Sequence, residues 1–336
     1  MLDISFKKNP ELYSDLDSCL DYLKGVHASK DDYEFPEEVV PFHLFMSHGC
    51  NNVILLETIK SYLATQDLEK TKLILWCENL DDSNNPLLEP YREYIWFKSY
   101  DAHKEAKGTP LEGNAKLDVF QPLYYAQSDL FRILITYKYG GVWMDMDVVF
   151  INDFKPILDQ EFCYEWGGYQ PHLDDECKAL GTDRYSKYGM STGALGIRKA
   201  GNMLPMDTFA QHLMHQLIIC PYMDPATHWG KELFGKVWST WGHKFTVFPS
   251  IFFNTEWGLE STKMRGEELI SRVATYFDEP IDDERQLFEY APFSWHYHNS
   301  GGHAKKAITT GEVHPRSKFG ILRERTNKLL KERGIV

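Results

Sequence analysis

Two aspartates separated by one residue, Asp145 and Asp147, are well suited to metal chemistry. They lie within residues 142–150, an apolar run that predicts a β-strand. If the chain is extended through them, both carboxylates lie on one face, where they repel each other unless a cation is nearby. Carboxylate pairs at a strand end suit Mg²⁺ or Mn²⁺. The alternative interpretation is a strand end whose two acids face water.

A charged pair precedes this strand. Apolar residues at helical spacing predict a helix here: Leu130, Ile133, Leu134 and Tyr137. Gly140 and Gly141 end it. Asp129 and Arg132 are three residues apart, on the side opposite the apolar stripe, so they could border the same site. The alternative is a surface ion pair that contributes a few tenths of a kcal/mol.

The run from Ala126 to Asp147 reads A-x-S-D-L-x-R-x-x-I-x-Y-x-Y-G-G-V-W-x-D-x-D. It resembles the sugar-binding region of DXD glycosyltransferases. These include α-1,4-galactosyl- and N-acetylglucosaminyltransferases, the yeast initiating α-1,6-mannosyltransferases and the clostridial glucosylating toxins. Weaker similarity extends to residues 107–113 and 191–196. A lone D-x-D has no specificity, but identity and spacing agree across this whole run.

The resemblance implies an α/β fold of GT-A type, with a single mixed, mostly parallel sheet flanked by helices. It also implies a nucleotide-diphosphate sugar donor, a divalent metal, and transfer with retention of anomeric configuration. By the resemblance, Asp129 and Arg132, with Ser128 beside them, would hold donor sugar hydroxyls. Asp145 would contact the sugar or ribose and, through water, the metal, while Asp147 would bind the metal directly. Asp129, Arg132 and Asp145 are thus the expected catalytic residues.

The resemblance implies further positions around the nucleotide. Phe45 and Met46 would lie beside the nucleobase, although relatives carry a tryptophan at this strand end. Trp143, where many members have tyrosine, would line the nucleotide pocket.

A late histidine followed three positions on by Asn or Ser completes the family's metal and diphosphate site, and His296 with Asn299 has this spacing. His298 would point to the opposite face of an extended segment. The expected ion is Mn²⁺ or alternatively Mg²⁺, and imidazole suits Mn²⁺ or Zn²⁺ better than Mg²⁺. The alternative is that these imidazoles form hydrogen bonds in a loop. Lys231, at a predicted helix start, could neutralise the leaving diphosphate or be solvated.

Strands and helices alternate along the chain in the manner of a parallel α/β sheet. Strands are predicted over residues 39–46, 71–77, 94–98, 142–150, 162–168, 194–198 and 245–248. Helices are predicted over residues 10–24, 52–64, 204–219 and 227–240, in the segment before Gly140, and in the last ~20 residues, while 101–118 is predicted to be a loop. We expect one domain over 1–336. Its nucleotide-sugar-binding half would be 39–150, its acceptor-binding half 151–310, and its helical extensions 1–30 and 315–336.

Composition narrows the possible partners. The 336 residues carry a net charge of −13, which argues against nucleic acid. The sequence has no apolar stretch near the ~18 residues of a membrane span and no signal-peptide pattern. We therefore expect a cytoplasmic protein, or alternatively an excised Golgi lumenal domain. The six scattered cysteines favour reduced thiols.

The function expected is metal-dependent transfer of a hexose or related sugar from a UDP-sugar, or alternatively GDP-mannose, to a glycan hydroxyl. Three alternatives stay open. One is a catalytically silent module that binds sugar nucleotides or glycans. Another is a haloacid-dehalogenase-like phosphatase, with Asp145 as nucleophile and Asp147 as acid/base. The third is a zinc hydrolase that uses His296, His298 and His303.

Overall fold

A computed structural model describes residues 16–47, 52–118, 124–165, 190–197, 208–220, 229–230, 233–234, 237, 246–248, 252–253, 275–281, 292–297 and 302–336. The helices are α1 (Leu16–Ala28), α2 (Asn52–Thr65), α3 (Ala102–Ala106), α4 (Tyr124–Tyr139), α5 (Phe209–Ile219), α6 (His303–Thr310) and α7 (Lys318–Glu332). The strands are β1 (Val40–Met46), β2 (Thr71–Cys77), β3 (Ile95–Ser99), β4 (Gly141–Met144), β5 (Val148–Phe150), β6 (Phe162–Glu165), β7 (Met190–Ile197), β8 (Thr246–Phe248) and β9 (Ser294–His296).

Seven strands form the main sheet, in the order β3-β2-β1-β4-β7-β6-β8. Strands β3, β2, β1 and β4 are parallel, β7 is antiparallel to β4 and β6, and β8 is parallel to β6. This confirms the expected α/β class with a mixed, mostly parallel sheet. The expectation of a single sheet is incomplete, because β5 and β9 form a separate antiparallel pair.

The central strands are buried on both faces, which is why they read as continuous apolar runs. Along β1, Phe42 and Leu44 pack into the core that contains α2, whereas Phe45 packs into the core that contains α4 and α5. We call these the α2 core and the α4 core. Strand β2 alternates in the same way, with Leu75 in the α2 core and Trp76 in the α4 core.

Two predictions about local structure are wrong. The strand expected over 142–150 ends at Met144 and resumes at Val148, because the second part leaves the main sheet to pair with β9. The loop expected over 101–118 contains α3, which begins where the Asp101 side chain accepts a hydrogen bond from the backbone N–H of Lys104. It also contains a 3₁₀ helix, Ala115–Asp118. The helix expected over 227–240 lies largely outside the described residues.

The turn from α4 into β4 depends on glycine and on a buried histidine. Gly141 has φ +87°, and a Cβ atom there would overlap the backbone oxygen of Pro41. His43 Nε2–H donates to the carbonyl oxygen of Gly140 at 2.9 Å, and His43 Nδ1 accepts from Trp76 Nε1–H at 3.2 Å. Burial is the main cause that lowers the pKa of His43 to about 4, so the ring is neutral at pH 7. These contacts fix the start of the strand that leads to Asp145.

The C-terminal helix α7 packs against α2. Phe319 and Leu322 are buried, and Arg323 forms a 3.1 Å ion pair with Glu57 on α2. No helix in the part of the chain that the structure describes is both long enough and apolar enough to cross a bilayer.

Candidate functional site

The candidate site lies where the chain leaves β4. Strands β1 and β4 are parallel, so Met46 and Met144 end at the same edge of the sheet, which is the usual ligand edge of such sheets. Asp145 follows Met144 directly, and β5 begins one residue after Asp147. Strand β5 pairs with β9 in a register that places Val148 opposite His296. This pairing brings a residue from late in the sequence beside the two aspartates.

Asp145, Asp147 and His296 form the acidic-histidine cluster of the site. One ligand atom from each residue lies within 4.8 Å of the others. His296 Nε2 is 3.1 Å from Asp147 Oδ1 and 3.7 Å from Asp145 Oδ2. The expectation that strand pleating places both carboxylates on one face is wrong in its cause, since residues 145–147 are not extended strand. The carboxylates converge because the chain bends between β4 and β5.

Electrostatics couples the three side chains. Burial raises the pKa of Asp145, and so does the nearby charge of Asp147, while Arg132 and His296 oppose the rise. For His296 burial lowers the pKa, but the two aspartates outweigh it and the net pKa is raised. The two carboxylates therefore favour the protonated form of the His296 ring when no cation is bound.

The pair on α4 borders the same cluster, as predicted. Arg132 Nη2 lies 3.0 Å from Asp129 Oδ1 and 3.7 Å from Asp145 Oδ1. The Arg132 guanidinium also stacks over the Trp143 ring at 5.2 Å, and Trp143 Nε1–H donates to Asp145 Oδ1 at 3.1 Å. Only 6% of the Arg132 side chain is exposed, so this is not the surface ion pair considered as the alternative.

Asp129 is enclosed from a second side by Gly230. A Cβ atom at position 230 would lie 3.1 Å from Asp129 Oδ2. Burial is the main cause that raises the pKa of Asp129 to about 6; Arg132 lowers it and Asp145 raises it. The carboxyl group of Asp129 is therefore confined between a guanidinium and a glycine backbone, in a place where a side chain at position 230 would crowd it.

The central segment matches a known family. Residues 56–163 match the family model described as "Glycosyltransferase sugar-binding region containing DXD motif". The segment is similar to DXD-type sugar-binding regions. The matched range includes Asp129, Arg132, Asp145 and Asp147, so Asp145-Met146-Asp147 is its DXD motif. The predicted resemblance and the predicted enzyme class, a glycosyltransferase, are confirmed.

Similar solved structures include PaToxG glycosyltransferase, with 12% identity, a TM-score of 0.43 and coverage of 95% of each chain. The bifunctional glycosyltransferase WbbM is 13% identical at a TM-score of 0.46, over 90% of this chain and 52% of that one. Glycosyltransferase GlyE of Streptococcus pneumoniae TIGR4 is 10% identical at a TM-score of 0.43, over 89% and 64%. This chain therefore spans less than two thirds of WbbM and of GlyE. No curated protein matches the chain significantly.

The residues around the DXD motif fit a divalent cation. Two carboxylate oxygens and one imidazole nitrogen are a mixed donor set that Mn²⁺ accepts, and the three atoms lie close enough to bind one ion. The aspartate side chains are 24% and 22% exposed, so the cluster is open to solvent on one side.

Three other positions predicted to contact the donor are described by the structure. Phe45 stacks on Phe131 with ring centroids 4.7 Å apart in the α4 core, and Met46 is buried in the α2 core. Neither side chain presents surface to a ligand, so their contact with a nucleobase stays a prediction. Ser128 Oγ accepts a hydrogen bond from Arg132 Nη2 at 3.1 Å, and its contact with the donor also stays a prediction.

Several predicted positions cannot be placed. Asn299, His298 and Lys231 lie outside the described residues. For His303 only its position at the start of α6 is described.

Sequence reasoning missed Tyr164, whose hydroxyl oxygen is 3.0 Å from His296 Nδ1. Nothing in its local sequence marks it, because the two residues are 132 positions apart. Gly230 belongs to the predicted helix start at residues 229–232, which by the family resemblance lies near the acceptor or the leaving diphosphate, but its close approach to Asp129 was not predicted.

Proposed function

We propose that the chain is a metal-dependent glycosyltransferase that moves a hexose or related sugar from a UDP-sugar to a glycan hydroxyl with retention of anomeric configuration. One observation carries the proposal: the acidic-histidine cluster of Asp145, Asp147 and His296 lies directly beside Arg132 and Asp129. A diphosphate needs positive charge and a sugar needs hydroxyl-binding groups, and this arrangement offers both within one site.

The reaction breaks the bond between the anomeric carbon and the diphosphate oxygen, so negative charge develops on the leaving group. A divalent cation held by Asp145, Asp147 and His296 would supply charge to stabilise it. Arg132, which contacts Asp129 and the Trp143 ring, would place a fixed guanidinium beside the leaving diphosphate. Asp129 would accept hydrogen bonds from donor hydroxyls, and the burial of this pair excludes water from that side.

Retention requires the acceptor hydroxyl to attack the face from which the diphosphate departs. In the mechanism we propose, the acceptor oxygen bonds to the anomeric carbon, and its proton passes to the leaving diphosphate. This front-face path requires no enzymic nucleophile. The family resemblance supports retention and a UDP-sugar donor, and GDP-mannose is the alternative donor to be tested.

We also propose that the glycan acceptor binds mainly to the half of the chain that follows residue 150, and that the whole chain acts as one domain.

The test is release of nucleoside diphosphate from purified protein with Mn²⁺ and a panel of UDP-glucose, UDP-galactose, UDP-N-acetylglucosamine and GDP-mannose. We expect UDP release from at least one UDP-sugar, loss of release with EDTA, and recovery when Mn²⁺ is added back. NMR of the product is expected to show the anomeric configuration of the donor. Binding of a sugar nucleotide without release under any condition would support the silent module, and phosphate release from a monoester would support the phosphatase.

Asp147→Ala removes a carboxylate from the proposed cation site. We expect turnover to fall by about 1,000-fold or more, because stabilisation of the leaving group depends on charge held there. The matched control is Asp21→Ala, which removes an exposed carboxylate from α1 and should leave turnover unchanged. Equal activity in both variants would contradict the proposed metal dependence.

A further inference from the structure

A buried tyrosine contacts the cluster from behind. The hydroxyl oxygen of Tyr164 lies 3.0 Å from His296 Nδ1, while His296 Nε2 faces Asp147 Oδ1 at 3.1 Å. Both ring nitrogens of His296 therefore have a partner: Nδ1 contacts Tyr164 of the main sheet, and Nε2 contacts Asp147 of the DXD motif. This contact joins β6 of the main sheet to β9 of the small sheet.

Tyr164 is itself held rigidly. Its side chain is 1% exposed, and its ring stacks on Phe253 with centroids 5.1 Å apart and an interplanar angle of 24°. The carbonyl oxygen of Phe253 accepts the backbone N–H of His296 at 2.9 Å. Phe253 thus holds the backbone of His296, and Tyr164 contacts its ring at the nitrogen that does not face Asp147.

We propose that Tyr164 is a positioning residue that accepts a hydrogen bond from His296 Nδ1–H and so directs the Nε2 lone pair to the cation site. This inference rests on the proposed function. The phenol oxygen can accept a proton or donate one, and only acceptance leaves Nε2 without a proton and able to bind a metal. Histidines that bind metals usually donate their other ring N–H to a fixed acceptor, and loss of that acceptor typically costs 10- to 100-fold in metal affinity.

The experiment compares two tyrosine-to-phenylalanine variants by electron paramagnetic resonance of free Mn²⁺ during titration, which measures affinity without turnover. Tyr164→Phe removes the hydroxyl behind His296. Tyr62→Phe is the matched control: Tyr62 is also buried in the α2 core, and its hydroxyl forms a 2.7 Å hydrogen bond with Thr71 Oγ1 instead. Each variant loses one buried hydrogen bond, so each should lose about 1 kcal/mol of folding stability.

We expect Tyr164→Phe to weaken Mn²⁺ binding by about tenfold or more, and Tyr62→Phe to leave it unchanged. Mg²⁺ binding should weaken less, because imidazole contributes less to Mg²⁺ than to Mn²⁺. A double-mutant cycle gives a second readout: in a His296→Ala background, Tyr164→Phe should have no further effect on Mn²⁺ affinity.

Three outcomes are distinguishable. Equal Mn²⁺ affinity in Tyr164→Phe and the wild type, with Asp147→Ala abolishing binding, would overturn the role of Tyr164 and leave the proposed function intact. If Tyr164→Phe lowered Mn²⁺ affinity as much in the His296→Ala background as in the wild type, the positioning role would also be overturned, because Tyr164 would then act independently of His296. Absence of Mn²⁺ binding to the wild-type protein, with and without UDP, would instead contradict the proposed function and with it this role.

Discussion

Two buried histidines lie on different strands of this chain and differ in what faces them. His43 on β1 is 0% exposed and is bonded to a carbonyl oxygen and an indole N–H, both neutral. His296 on β9 is 6% exposed and faces two carboxylates. The pKa of His43 is lowered to about 4 by burial, whereas the pKa of His296 is raised because its carboxylate neighbours outweigh burial.

Burial alone therefore does not indicate what a histidine does. Burial disfavours the imidazolium in both places, and the charge of the neighbouring groups decides the outcome. The neutral ring of His43 holds the glycine turn and so fixes the start of β4. The ring of His296 faces two carboxylates whose negative charge a bound cation can neutralise. We therefore expect changes near His43 to alter stability and changes near Asp129 and His296 to alter binding and turnover.

The largest effect on folding stability is expected at the turn held by His43. In Gly141→Ala the residue must keep φ +87°, and its Cβ would overlap the backbone oxygen of Pro41. We expect a loss of about 3 kcal/mol or more in the free energy of unfolding measured with urea. Gly25→Ala is the control, because Gly25 lies in α1 with no atom within 4 Å of its Cβ position. If Gly141→Ala were as stable as Gly25→Ala, the turn held by His43 would not require glycine.

A smaller effect on stability is expected from the neutral His43 ring itself. His43 is protonated near pH 6.5 in the unfolded chain but only near pH 4 in the folded chain. The stability that the neutral ring contributes is therefore fully present above pH 6.5 and is lost as the pH falls. At pH 5 this loss is about 2 kcal/mol. In His43→Gln, whose amide can replace both hydrogen bonds, the decrease in stability from pH 7 to pH 5 should be smaller by about that amount.

The control for that titration is the wild-type protein, measured over the same pH range. For His296, whose folded pKa is raised, the sign is opposite: its contribution is present at low pH and lost as pH rises through the folded pKa. A decrease in His43→Gln as steep as in the wild type would show that another group causes the acid sensitivity.

The smallest effect is expected at the close approach within the site. Gly230→Ala would place a Cβ 3.1 Å from Asp129 Oδ2, which requires a shift of a few tenths of an ångström. We expect kcat/KM for the donor to fall by about tenfold, equivalent to about 1.4 kcal/mol, with little change in stability. Urea unfolding and steady-state kinetics on the same sample would separate the two. A loss of stability as large as in Gly141→Ala would place Gly230 with the turn rather than with the site.

Local patterns predicted much of the fold. The run over 71–77 matches β2 residue for residue, and β1 and α2 differ from their predicted bounds by one residue. These elements are buried on one or both faces, so the pattern of their apolar residues indicates both their type and their bounds. The break at residues 145–147 has no such signal, because β5 leaves the sheet to pair with a strand that lies almost 150 residues further along the chain.

How far the candidate site can be predicted depends on how close its residues lie to one another in the sequence. Asp129, Arg132, Asp145 and Asp147 lie within one motif, and the structure brings all four together. His296 was reached only through the family resemblance. Tyr164 was not predicted as a site residue, because its contact with His296 is made by folding and leaves no trace in neighbouring sequence. For Gly230 the sequence offers only its place at a predicted helix start, which does not reveal the contact with Asp129.

The most direct test of the central claim is anomalous diffraction from crystals grown with Mn²⁺ and UDP. We predict one Mn²⁺ peak at coordination distance, about 2.0–2.6 Å, from the Asp147 carboxylate and His296 Nε2, with the diphosphate of UDP on its other side. A peak elsewhere, or UDP bound away from Asp145 and Arg132, would contradict the account.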